Sequence, residues 1–159
     1  REPWLYLRFA EDINRGGKPS IAFAVITNGL KQKVMHHSRL VMQWERKGEP
    51  YINFDNGKHE NNQGTAMRGR GYGIRLLKSG YVIPEFDNLN DSIEWVENEI
   101  LYEMAAETCF EGNRFFDLMR MSHHRADHPA LMVDKISQRF DNPAAAAARL
   151  SNPENWWIK

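Results

Sequence analysis

The chain has 159 residues, 42% of them hydrophobic and 26% charged, which is enough for one compact region with a real core and excludes simple disorder. Its 21 Lys and Arg balance its 21 Asp and Glu, so bulk attraction to nucleic acid or anionic lipid has no basis and no nucleic-acid partner is expected. No apolar run approaches the ~20 residues that span a bilayer, and the lone Cys109 rules out an internal disulfide.

The first periodic segment covers residues 3–30. Pro3 suits a first helical turn, and Leu5, Phe9 and Ile13 follow at steps of four, so they are expected to face inward. Gly16 and Gly17 end that helix. Pro19 and Ser20 open the next, with Ile21, Val25 and Ile26 inward and Ala22 and Ala24 allowing close approach, and Gly29 stops it. Two helices joined by so short a turn predict a helical hairpin. The tetratricopeptide consensus is met only in part, and no second copy follows at a fixed period.

Residues 31–90 carry no firm element and read as a long loop-rich insertion. Gly64, Gly69, Gly71, Gly73 and Gly80 interrupt short β-like runs, and MRGRGYG from Met67 departs from a phosphate-binding glycine pattern. Trp44, Tyr72 and Tyr81 lie here; their rings suit stacking on sugar C–H faces, and loops are where binding residues gather. Filling a core or crevice is the role expected of each, with ligand stacking the alternative.

The second periodic segment covers residues 91–121. Ile93, Val96, Ile100, Met104 and Thr108 recur on one helical face, and Asp91 with Glu94 resembles a capping box. Cys109 at its end predicts a buried thiol. Gly112 breaks the pattern, Asn113 can cap again, and Arg114 to Met121 reads as a second, shorter helix with Phe115 or Phe116 in the core, so that residues 91–121 are expected to form a second helical hairpin. Glu111, Arg114, Asp117 and Arg120 sit three apart, so they are expected to pair in a structural ion network rather than to catalyse.

Residues 122–159 predict a polar turn, a short helix from Leu131 to Phe140 closed by Asp141-Asn142-Pro143, and a helix from Ala144 to Leu150. Trp156 and Trp157 are expected to pack back on the body. Phe-Asp-Asn recurs at Phe54, Phe86 and Phe140, three Asx-type turns with unlike flanks. His123, His124, Asp127 and His128 form the most metal-like group, but Pro129 breaks the spacing and no Glu stands as in H-E-x-x-H; a solvated turn is expected, with no metal. There is no Ser-His-Asp set and no G-x-S-x-G elbow, so no catalytic residue and no cofactor is expected.

The order FEGNRFFDLMR, preceded by EILYEMAAET, resembles the C-terminal signature of the SusD/RagB family, with Phe110, Glu111, Gly112, Arg114, Phe115 or Phe116, Asp117, Leu118 and Arg120 at the matching positions. The stretch WLYLRFAEDINRGGKPSIAFAVITNGL is similar to the family's helical hairpin. Met104 departs from an Arg common in the family, and Thr108-Cys109 from a small apolar pair. The resemblance covers residues 4–30 and 80–121. It implies a mainly α, tetratricopeptide-like scaffold (a SusD-like α/α arrangement) and a single region that forms the C-terminal part of a longer protein. It further implies a lipid anchor in the N-terminal part as the one tie to the outer membrane at the cell surface. The implied activity is non-enzymatic capture of oligosaccharide beside a SusC-like, TonB-dependent transporter. A peptide-binding relative on the same scaffold and a helical protein–protein adaptor are the alternatives.

Overall fold

A computed structural model describes residues 2–28, 83–125 and 129–157 of the chain. Among these the protein is mostly helical and has no strand, as a mainly α chain should be. The helices are α1 (Glu2–Arg15), α2 (Pro19–Asn28), α3 (Leu89–Glu107), α4 (Arg114–His124), α5 (Ala130–Ile136) and α6 (Pro143–Leu150), with 3₁₀ turns η1 (Ser137–Arg139) and η2 (Pro153–Trp156). They fall into two units, Arg1–Thr108 and Cys109–Lys159. That boundary lies inside the 91–121 segment, so α3 belongs to the first unit and α4 to the second. The expected loop region lies outside the described residues up to residue 82, and residues 83–88 have no regular structure.

In the first unit α1, α2 and α3 pack against one another. Ser20 to Ile26 of α2 are all buried, Phe23 included, because α2 is covered on both sides and carries no charge to keep wet. Each large apolar side chain buried there contributes roughly 1.5–3 kcal/mol. Ala22 and Ala24, both fully buried, leave room for neighbouring helices to approach. The turn into α2 is a Schellman motif: Lys18 N–H donates to the Ile13 carbonyl at 3.2 Å and Gly17 N–H to that of Asn14 at 3.0 Å. Gly17 has φ +82°, a left-handed conformation that costs a side-chain-bearing residue about 1–2 kcal/mol.

The inward face of α1 is a correction to the sequence reading. Leu5 is 60% exposed and Phe9 and Ile13 are half-buried, whereas Leu7, Ala10, Glu11 and Asn14 form the buried stripe. Two polar residues hold that stripe because each has partners, described below. On α3 the expected face is buried at Val96, Ile100, Met104 and Thr108, with Ile93 half-buried. The helix starts earlier than Asp91. Asn88 is its N-cap, accepting from Asp91 N–H at 2.9 Å, while the Asn88 amide donates to the Asp91 carboxylate at 2.9 Å. Asp91 is therefore the reciprocal partner of a cap three residues before it. The end of α3 is closed by Thr108, whose hydroxyl donates to the Met104 carbonyl at 2.8 Å.

The second unit is built from short pieces. α4 packs on α5, α5 on η1 and α6, and α6 on η1 and η2. The predicted helix 131–140 tightens into η1 after Ile136, and Phe140, expected at its end, is 55% exposed. Asn142 caps α6 by accepting from Ala145 N–H at 3.1 Å, with Pro143 in the first turn, where its missing N–H costs nothing. Asn152 repeats the device at η2, accepting from Glu154 N–H at 3.0 Å. The Phe-Asp-Asn segments at Phe86 and Phe140 thus lead into helix caps; the one at Phe54 lies outside the described residues. Trp156 is buried and its indole N–H donates to the Leu150 carbonyl at 2.8 Å, whereas Trp157 is exposed.

Candidate functional site

The residues singled out by sequence are first placed by where α4 begins. Gly112 has φ +75°, and the preceding Phe110, fully exposed, has φ +68°. These left-handed residues end the chain's helical course after α3, so Glu111 lies in the turn and α4 starts at Arg114. Spacing of three along a helix therefore does not reach Glu111. It is exposed, and its carboxylate accepts from the Asn113 amide at 3.4 Å, so it takes no part in the expected ion network. Asn113 has a helical rather than extended backbone, φ −79° and ψ −18°, and makes no side-chain cap on α4.

Within α4, Asp117 is buried and Arg120 lies 3.5 Å from its carboxylate, while Arg114 is half-buried. The pair holds a carboxylate in the first turn of the helix, where the macrodipole favours negative charge. Neither ring of the aromatic pair enters the core fully. Phe115 is half-buried and Phe116 is 59% exposed, meeting edge to face with centroids 6.1 Å apart. Leu118, Met119 and Met121 supply the buried face instead.

A second charge cluster, in the first unit, escaped the sequence reading. Glu11 is 1% exposed and is paired with both Arg8 and Arg15 on its own helix. Arg15 also reaches α3, where its guanidinium donates to the Glu97 carboxylate from Nη2 at 3.1 Å and from Nε at 3.3 Å. One turn back, the Asn14 amide donates to the Ile93 carbonyl at 2.8 Å. Arg8 additionally lies 4.7 Å from the centre of the Trp4 ring, a cation–π contact. The local half of this network was visible as Arg8, Glu11 and Arg15 at helical spacing. The cross-helix half had no local signal, because Glu97 is 82 residues from Arg15.

The remaining candidates are quickly placed. Trp44, Tyr72 and Tyr81 lie outside the described residues, as do Asp127 and His128. His123 and His124 are exposed at the end of α4, where His123 packs against the Trp156 ring with centroids 5.3 Å apart. Among the described residues no three His, Cys, Asp or Glu side chains are grouped as metal ligands would be. Cys109 is exposed rather than buried, because α3 ends at Glu107 and leaves the thiol in the turn beyond it. No described helix is long and apolar enough to cross a membrane. Comparison with protein-family models, with curated proteins and with solved structures found no match to this chain.

Proposed function

We propose that the protein is a non-enzymatic, cell-surface nutrient-binding protein of the SusD/RagB type, which captures oligosaccharide and passes it to a TonB-dependent outer-membrane transporter. The observation that carries the reading is the FEGNRFFDLMR stretch, a glycine-broken turn leading into a helix with a buried carboxylate and its arginine partner. The first unit supports it as well: the WLYLRFAEDINRGGKPSIAF stretch lies in two packed helices, the kind of layer a tetratricopeptide-like scaffold uses. On this reading the charges of the FEGNRFFDLMR stretch serve the scaffold, and ligand is held by surface rings and polar groups. The protein reaches the membrane through a lipid anchor in the N-terminal part of the full-length chain.

Calorimetry of the full-length protein against a panel of polysaccharides and peptides, with product analysis of each mixture, tests the proposal. Saturable binding of a glycan that is recovered intact is the expected result. Turnover of the glycan would overturn the non-enzymatic part, and peptide binding without glycan binding would replace the ligand.

A further inference from the structure

Within the first unit, a recess of about 520 Å³ opens where the first turn of α2 meets residues 83–92. This is inside the range of roughly 300–1,000 Å³ usual for small-molecule pockets. Its lining residues include the aromatic Phe86, the acidic Glu85 and Asp87, and Ser92. Phe86 is 36% exposed, so part of its surface is open to a ligand. A ring beside acceptors that each take a hydroxyl proton is the combination that a pyranose uses: C–H groups against the ring, hydroxyls to the carboxylates. Bonds to ionised acceptors are also the stronger kind.

We infer that this recess is a subsite for one neutral pyranose unit, an inference that rests on the glycan-binding reading above. The preference for a neutral sugar follows from the charges. Glu85 and Asp87 bring two full negative charges to the described lining. The N-termini of α2 and α3 each supply only about half a positive charge, and that of α3 already has Asp91 in its first turn. A uronic acid or sulfated sugar therefore meets net repulsion. The Asn88 amide also lines the recess, where one bond from its nitrogen and one to its oxygen already orient it on Asp91.

The test is calorimetry on the full-length protein and its Phe86→Ala and Asp87→Asn variants, using neutral and anionic oligosaccharides, with a melting curve for each. Asp87→Asn keeps side-chain shape and the Asn88 cap, so it reports on recognition even if Phe86→Ala lowers stability. Asp87→Asn is expected to weaken binding of a neutral oligosaccharide by about tenfold, the scale of one lost hydrogen bond to a charged group, and Phe86→Ala by about as much through loss of the ring face. Wild-type affinity in both variants would overturn the subsite and leave the glycan-binding reading intact. A wild-type protein that prefers the anionic sugars would overturn the neutral-ligand inference. Failure of the wild type to bind any glycan would remove the parent reading and this subsite together.

Discussion

The two units bury charge in different ways. In the first, Arg15 joins Glu11 on its own helix to Glu97 on another, and Asn14 binds the Ile93 carbonyl. Those contacts span 82 and 79 residues, so they exist only when α1 and α3 are assembled. In the second unit the buried Asp117 pairs with Arg120 three residues on in the same helix, and Asn caps at α6 and η2 and the Trp156 indole add further local bonds. Long-range partners make stability cooperative, since the Arg15–Glu97 and Asn14–Ile93 contacts form only when α1 and α3 are together. Local caps stabilise each piece separately. The first unit should therefore lose much on a single core or network substitution, and the second should lose little, piece by piece.

The largest loss is expected from Phe23→Ala, which empties a fully buried site beside Trp95 and should cost about 4 kcal/mol. Denaturant titration followed by fluorescence checks it; a loss below about 1 kcal/mol would mean that α2 is not the centre of the unit. Next comes Arg15→Ala, which takes a cation from between two carboxylates with side chains only 1% and 8% exposed. It should cost about 3 kcal/mol, mostly by leaving those carboxylates buried without it. Unchanged stability in Arg15→Ala would break the contrast drawn between the units.

How far these features could be read in advance depended on the distance of their partners. The inward set on α2 and the stripe Val96, Ile100, Met104 on α3 needed only periodicity, and both are found. The face of α1 was misassigned because Glu11 and Asn14 look solvent-facing until Glu97 and the Ile93 carbonyl are brought to them. Asn88 could be read as an Asx turn but not as the cap of α3, since its partner Asp91 is itself a plausible cap. Glu111 and Cys109 were misplaced by one cause: the left-handed turn at Phe110 and Gly112 ends the helical register on which both expectations relied. Of the tail rings, only Trp156 finds a buried carbonyl partner, something that composition cannot distinguish from Trp157. The candidate stacking residues Trp44, Tyr72 and Tyr81 remain outside the described residues.

Smaller effects sharpen the local side of the contrast. Trp156→Phe keeps a ring against His123 but leaves the Leu150 carbonyl without its donor, an expected loss of about 1–2 kcal/mol. Hydrogen exchange should show faster opening in α6 and η2 and no change in α1 to α3. Smaller still, Asn142→Ala removes the α6 cap and should cost about 1 kcal/mol, again confined to that helix. Spread of either effect into the first unit would show that the two units do not open independently.

The functional claim is most directly tested by extracting the full-length protein from native outer membranes in mild detergent and identifying its stoichiometric companion. A TonB-dependent β-barrel transporter retained through size exclusion is the predicted result. Recovery with a soluble protein complex and no such transporter would contradict nutrient delivery and make a helical adaptor the better reading.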